Sequence, residues 1–126
     1  MSFSNTFEER VLTWVFTNSS ATRPTAWFVA LYTGAPNDAG GGTEVSGGAY
    51  ARQAVTFSVS GDTATNTGAI EYPTATAGYG TVTHVGIFDA STGGNLIAYA
   101  ALTASKNIDT GDVLRLPAGD LDVTLD

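Results

Sequence analysis

One segment, residues 80–102, constrains the fold of this chain more than any other part of its sequence. Residues 81–89 and 95–102 are rich in β-branched and aromatic side chains, which suit the half-buried surface of a β-sheet. Between them, residues 90–94 end in two glycines, which reach the positive φ angles of a tight turn at little cost. The segment therefore predicts a β-hairpin, and it contains no pattern typical of a catalytic site.

Apolar runs alternate with turn residues in the rest of the chain after residue 26. Residues 26–33 form a nearly continuous apolar run, which predicts a strand buried on both faces. Further strands are predicted at residues 50–59, 69–72, 106–109, 113–116 and 121–125, and a turn at residues 61–66. About eight short strands indicate a mainly β fold, an antiparallel β-sandwich of jelly-roll-like or barrel-like form, in one domain over residues 1–126.

The N-terminal segment is the one part that predicts a helix, over about residues 6–16. Its apolar residues recur at spacings of three and four, with Asn5 and Glu8 as the capping pair. The helix is expected to pack across one end of the sheet, or alternatively to dock on another subunit. Trp14 and Trp27 are both assigned to the core.

Residues 34–48 form the longest irregular segment, and it contains the run Gly40, Gly41 and Gly42. Loops of this length are usually functional or mobile. In a phosphate-binding loop the glycines lead into a Lys-Ser or Lys-Thr pair and then a helix. The sequence after Gly42 has neither feature, so the phosphate-binding pattern is not matched. Mobility or close backbone approach is the preferred explanation of these glycines.

Charge argues against several partners. The net charge is −7, and the five basic residues are scattered singly, so neither nucleic acid nor a membrane is expected to bind. Only 13% of residues are charged, against about 25% in an average globular protein. This composition favours a surface largely hidden in an assembly.

No cysteine, secretory signal or membrane span is present, which predicts a soluble protein made in a cytoplasm.

No set of residues matches an enzyme or a metal site. His84 is the only histidine, and no Gly-x-Ser-x-Gly motif accompanies it, so a structural role in a strand is preferred. The acidic residues lack the spacing of a calcium loop, and nothing brings Glu44 and Glu71 together as a glycosidase pair. We therefore expect no enzymatic activity, no cofactor and no metal. Tyr50 and Tyr79 are predicted at loop edges, where tyrosine suits a partner or a glycan equally.

Five segments carry a resemblance that covers nearly the whole chain. They are the start MSFSN, the strand AWFVALYTGAP, the unit EVSGGAYARQAVTF, the hairpin GTVTHVGIFDASTGGNLIAYAAL and the end GDLDVTLD. In order and spacing they resemble small β-rich virion proteins of tailed bacteriophages, often described as tail fibre proteins. Some similar proteins act as capsid decoration or cement proteins. The resemblance brings no catalytic residue with it.

The resemblance implies a structural protein of the bacteriophage virion, made in the host bacterial cytoplasm. The first hypothesis is a capsid decoration or cement protein that bridges major capsid proteins as a homotrimer. The alternative is a tail fibre or baseplate accessory protein that binds a host receptor or glycan. Arg52 and Arg115 are candidates for interfacial ion pairs. The predicted interface residues are Gly40, Gly41, Gly42, Glu44, Tyr50, Arg52, Tyr79 and Arg115.

Overall fold

The computed structural model describes residues 1–125 as one helix and short antiparallel strands. Strand β1 (Ser2–Phe3) precedes helix α1 (Asn5–Phe16). The later strands are β2 (Trp27–Gly34), β3 (Thr43–Glu44), β4 (Gln53–Val55), β5 (Phe57–Ser60), β6 (Thr63–Asn66), β7 (Ile70–Glu71), β8 (Gly80–Phe88), β9 (Leu96–Ile108), β10 (Arg115–Leu116) and β11 (Asp122–Thr124). Among the described residues, no helix is long and apolar enough to cross a membrane.

The strands form one large sheet and two small ones. The large sheet has the order β1-β9-β8-β2-β3, with β4 also paired to β2, and the small sheets are β10-β7 and β11-β6-β5. Val29 and Leu31 on β2 and Val85 on β8 share a core with Ile70 on β7 and Leu116 on β10. Phe57 on β5 packs against the same core. Both small sheets therefore lie on the same side of the large one, and the predicted mainly β, antiparallel, sandwich-like fold is confirmed.

The predicted hairpin is present as β8 and β9, but its second strand is longer than predicted. Residues 106–108 continue β9 instead of forming a separate strand. Val82 pairs with Lys106, and His84 pairs with Ala101. These two pairs are two residues apart on β8 but five residues apart on β9. The three extra residues form a bulge in β9, and this irregularity hides the continuity of the strand from its side-chain pattern.

Two predictions for residues 50–66 are wrong. Residues 50–59 do not form one strand, because the chain leaves the large sheet after β4 and enters a small sheet at β5. Residues 61–66 are not all a turn, since only the first two of them turn and the rest form β6. Strand β6 is stabilised on both sides, by β5 and by β11, and these pairings outweigh the turn propensity of its polar residues.

Helix α1 begins at Asn5, and Ser4 is its N-cap instead of the predicted Asn5. The Ser4 hydroxyl accepts a hydrogen bond from the backbone N–H of Phe7 and donates one to the carbonyl of Leu96. Ser4 is 2% exposed, so this hydroxyl joins the start of α1 to the start of β9 in the interior. The capping role was predicted one residue too late.

The Ser4→Ala variant is expected to lower the free energy of unfolding by about 2 kcal/mol, because it removes a cap and leaves a buried carbonyl without its donor. Asn5→Ala is the matched control, with an expected loss below about 0.5 kcal/mol for an exposed residue. Urea unfolding of the two variants measures the difference. Equal losses would contradict the assignment of Ser4 as the cap.

Candidate functional site

Helix α1 has no buried residue, although its sequence is rich in large apolar side chains. Phe7 faces the sheet: its ring stacks on that of Phe3 from β1, with centroids 5.2 Å apart, and both rings pack against Ile87, Ile97 and Ala98. Trp14 is 67% exposed, so the prediction that it belongs to the core is wrong. Trp27, the other predicted core tryptophan, is partly buried against the core.

An apolar groove of about 550 Å³ lies between α1 and the small sheet β11-β6-β5. Aromatic and aliphatic side chains from the helix and from several strands form most of its lining, among them Phe7, Val11, Trp14, Trp27, Phe57 and Val59. Among the residues that the structure describes, its charged lining residues are Arg23 and Asp62, which carry opposite charges. The described lining is therefore mainly apolar.

Six large apolar side chains have more than half of their surface exposed, and three of them line this groove. We call this set the apolar face: Leu12 (57% exposed), Trp14 (67%), Val15 (53%), Phe16 (78%), Val59 (76%) and Leu125 (57%). Trp14, Val59 and Leu125 line the groove, and Leu12, Val15 and Phe16 are elsewhere on the surface of α1. Exposed apolar surface of this extent is typical of contact sites for other molecules.

A second cluster lies near β3, at the edge of the large sheet, where Arg52 and Glu44 form an ion pair. Arg52 Nε is 2.9 Å from Glu44 Oε2, and Arg52 Nη2 is 2.8 Å from Glu44 Oε1. The Tyr50 hydroxyl donates to Glu44 Oε2 at 2.6 Å, and the backbone N–H of Leu31 donates to the Tyr50 oxygen. The side chain of Arg52 is 8% exposed and that of Glu44 is 27% exposed.

Arg52 also fixes the turn of the β8–β9 hairpin. Its Nη1 donates to the carbonyls of Ala90 at 3.0 Å and Gly93 at 2.8 Å. Its guanidinium carbon lies 3.6 Å from the ring centroid of Phe88, a favourable cation–π geometry. One side chain thus connects Glu44, within the long segment of residues 34–48, to the hairpin turn.

The ion pair determines the protonation states in this cluster. Burial alone would raise the pKa of Glu44, but hydrogen bonds from Arg52 and Tyr50 and the attraction of the Arg52 charge lower this pKa overall. Burial and the hydrogen bond to Glu44 raise the pKa of Tyr50, and the hydrogen bond to Glu44 raises that of Arg52. Glu44 is therefore ionised and Tyr50 protonated at neutral pH.

The lowered pKa of Glu44 predicts a loss of stability in acid. Its contribution is fully present above the unfolded-state pKa of about 4.3 and is lost as pH falls through the lower folded-state pKa. Urea midpoints measured between pH 7 and pH 3 should show this loss. The Glu44→Gln variant should be less stable at pH 7 and lose less stability on acidification. An unchanged pH dependence in that variant would contradict the prediction.

The structure places the predicted interface residues in different environments. Glu44, Tyr50 and Arg52 come together, but they bond to one another within the chain. Tyr79 lies at the loop edge, directly before β8, as predicted, but it is 6% exposed and its hydroxyl donates to the carbonyl of Pro73, so its ring is in the core. Arg115 is exposed on β10, opposite Glu71 in register. A role for these residues at an interface stays a prediction.

The glycines of the long loop make close backbone contacts. A Cβ atom on Gly42 would lie 2.7 Å from the carbonyl oxygen of Gly34, whereas one on Gly40 would meet nothing within 4 Å. Gly41 and Gly42 are exposed, and Gly40 is partly buried. At Gly48 a Cβ atom would lie 2.5 Å from the carbonyl oxygen of Ala77. Close approach of backbone segments therefore accounts for Gly42 and Gly48.

The remaining titratable candidates do not form a chemical site. His84 Nδ1 lies 2.9 Å from the hydroxyl of Thr83, its neighbour in β8. Within residues 1–125, no group of three or more His, Cys, Asp or Glu side chains is positioned to hold a metal ion.

Sequence reasoning predicted the apolar face only in part. Docking of the helix on another subunit was one of its alternatives, but Leu12 and Phe16 were not singled out, and the strand predictions did not mark Val59 and Leu125 as exposed. How exposed these side chains are depends on which other elements cover α1 and β5. The periodicity of apolar residues within α1 or β5 does not show this covering. One signal was available in the sequence, because apolar residues on α1 extend beyond a single face.

Comparison with known proteins places the chain among phage virion proteins. The model of the family described as podophage GP4 fiber I protein gp80 matches residues 2–124. The chain belongs to this family. The predicted relation to bacteriophage fibre proteins is thereby confirmed, and the fiber I family is one of structural virion proteins. A search of curated proteins gave no match.

Proposed function

We propose that this member of the fiber I family is a non-enzymatic structural subunit, attached to its neighbours in the phage particle through the apolar face. The exposure of six large apolar side chains, three of which line one apolar groove, is the observation that supports this proposal. Burying apolar surface contributes about 25 cal/mol per Å² to association. The same contact repeated by the symmetry of a particle becomes strong through multivalency.

Two positions in the particle are candidates. The first is the head, where the protein acts as a homotrimeric decoration protein that bridges major capsid proteins. The low fraction of charged residues and the resemblance to small β-rich virion proteins support it. The second is the tail, where the protein is part of a fibre or baseplate and contacts a host receptor or glycan. Membership in a family described as a fibre protein supports this second candidate.

Counting copies in purified virions distinguishes these positions. Quantitative mass spectrometry, with the major capsid protein as the internal standard, is expected to give hundreds of copies for a head decoration and a handful for a tail fibre. Gold labelling of an epitope-tagged protein on intact particles locates it independently. A protein absent from purified particles would contradict the proposed function itself.

The role of the apolar face is tested in the same particles. Phe16→Glu is expected to lower the amount of protein incorporated into virions, because a charge in an apolar contact must be desolvated without a partner. Val113→Glu is the matched control, since Val113 is also apolar and exposed but does not belong to the apolar face. Equal incorporation of both variants would contradict attachment through this face.

A further inference from the structure

A cleft of about 300 Å³ lies on the face of the large sheet that is turned away from the shared core. Leu31 on β2 belongs to that core, whereas Tyr32, the next residue, points to the opposite face and lines the cleft. The long segment, the start of α1 and the end of the hairpin turn form its walls. We propose that this cleft binds the primary ammonium group of a lysine side chain from a neighbouring virion protein. The choice of a virion protein as the source rests on the proposed function, but the recognition of an ammonium group does not.

Tyr32 supplies an open polar group to this cleft. The residue is only 4% exposed, and its hydroxyl makes no hydrogen bond to the residues that the structure describes. Within residues 1–125, no side-chain oxygen or nitrogen that is fully shielded from solvent lacks a hydrogen-bond partner. The Tyr32 hydroxyl therefore reaches solvent, and because Tyr32 lines the cleft, it does so there. A buried tyrosine usually has a partner for its hydroxyl, and this hydroxyl is available to a ligand.

Two further oxygen atoms in the lining are open acceptors. Asp38 is the charged residue among the described lining residues, and its Oδ1 accepts a hydrogen bond from the Tyr99 hydroxyl, which leaves Oδ2 open. Asn95 donates its backbone and side-chain N–H groups to Asp89, which leaves its amide oxygen open. An ammonium group has N–H donors and no acceptor, so it complements a cleft whose open side-chain atoms are mainly oxygen acceptors.

The apolar part of the lining suits the hydrocarbon stem of a lysine. Phe88 and Leu96 line the cleft and are each 8% exposed. Lysine packs its methylene groups on apolar surface and keeps its ammonium group near water. Arginine fits less well, because a bidentate pair uses both carboxylate oxygens and the Tyr99 hydroxyl already binds one oxygen of Asp38.

The charges around the cleft favour a cation over an anion. The start of a helix attracts anions through its open N–H groups. Those of Asn5, Phe7 and Glu8 are already bonded within the chain, at 2.8, 3.3 and 3.0 Å. Arg52, which contacts the Phe88 ring, is paired with Glu44. The net charge of −7 attracts cations to the chain as a whole.

A second copy of this chain is a poor source of the ammonium group. Lys106 is the only lysine in the sequence. It lines a different cavity together with Asp120 and Asp122, so carboxylates of its own chain compete for its charge. We therefore assign the lysine to another protein of the particle.

The first test titrates the full chain with n-butylammonium chloride and follows its backbone amides by NMR. Shifts are expected at residues 38–41 and at Asn95, with half-saturation near ~10 mM because so small a ligand binds weakly. n-Butanol has the same hydrocarbon stem without the charge and should not produce these shifts. Equal shifts with n-butanol, or none with n-butylammonium up to ~100 mM, would overturn the inference.

Asp38→Asn is expected to raise the dissociation constant of n-butylammonium at least ~10-fold, because it removes the charge and keeps an acceptor for Tyr99. Asp120→Asn is the matched control, since it makes the same change at an exposed aspartate outside the cleft. This control should change the constant less than ~2-fold, and the NMR spectra show whether both variants fold. Equal effects of the two variants would indicate general charge attraction and overturn a specific site.

The second test identifies the source of the ammonium group in purified virions. A carbodiimide joins a carboxylate and an amine in direct contact as an amide and takes up the water that is released. Mass spectrometry is expected to find Asp38 joined to a lysine of another virion protein, and this product should be absent from Asp38→Asn virions. A product with Lys106 would assign the contact to a second copy and overturn the choice of partner.

The inference and the proposed function fail in different ways. If n-butylammonium binds at the cleft but virions give no product with Asp38, the assignment to a virion protein is overturned, and the proposed function is unaffected. If n-butylammonium binds at the cleft but the protein is absent from purified virions, the proposed function fails and the ammonium site stands.

Discussion

Replacing Arg52 by methionine is expected to lower the free energy of unfolding by about 3 kcal/mol, among the largest effects of any single substitution at a charged residue in this chain. The variant leaves the Glu44 carboxylate partly buried without its counter-ion, which is more costly than removing both charges. It also removes the hydrogen bonds to the Ala90 and Gly93 carbonyls and the contact with the Phe88 ring. Methionine keeps most of the side-chain volume, so the loss reports mainly on the charge and its hydrogen bonds.

A double-mutant cycle separates the ion pair from its surroundings. Glu44→Gln in the Arg52→Met background should recover at least about 1 kcal/mol of the loss, since it removes the uncompensated charge and keeps an acceptor for Tyr50. Urea unfolding at pH 7 measures all four proteins of the cycle. Purely additive effects of the two substitutions would show that the pair contributes nothing beyond its separate side chains.

Gly48→Ala is expected to lower the free energy of unfolding by at least about 3 kcal/mol. The added Cβ atom would lie 2.5 Å from the carbonyl oxygen of Ala77 and 3.2 Å from the ring of Tyr79. Backbone on one side and a core aromatic on the other leave little room for relaxation. The φ angle of +62° adds the strain of a left-handed conformation for any residue with a Cβ atom.

Gly47 provides a matched control next to Gly48. Its φ angle is also positive, at +75°, but a Cβ atom there would meet nothing within 4 Å. Gly47→Ala should therefore cost only the conformational strain, about 1 kcal/mol. Thermal and urea unfolding measure the loss of stability in each variant. The difference between Gly48→Ala and Gly47→Ala gives the cost of the steric clash apart from the backbone strain. Similar losses would show that the close approach to Ala77 is not important for stability.

Much of the fold was predictable because it depends on local pattern. The apolar run at residues 26–33 predicts β2 and the glycine turn predicts the β8–β9 hairpin, since both signals are contained within a few consecutive residues. Strand β6 was not predictable in the same way. Its residues Thr63 to Asn66 directly follow the turn residues Gly61 and Asp62 and contain no apolar run, and they form a strand because β5 and the distant β11 pair with them.

The candidate site was less predictable than the fold. Glu44, Tyr50 and Arg52 were chosen as residues able to contact a partner, and the structure shows that they contact one another across a short loop. Their mutual bonds depend on the path of the loop, which its glycines permit but do not specify. The sequence offered docking of α1 on another subunit only as an alternative, because an amphipathic pattern implies that apolar residues are covered within the chain, and on α1 no residue is buried.

The bulge in β9 has a consequence for aggregation. Beyond Tyr99, β9 pairs with β8 on one side and with no strand of the described residues on the other, which leaves a sheet edge open to strand addition. The three extra residues between Ala101 and Lys106 interrupt the regular spacing of backbone donors and acceptors along that edge. A foreign strand therefore finds no continuous template there. Uncontrolled β-polymerisation is disfavoured during the period when many copies of a virion protein accumulate before assembly.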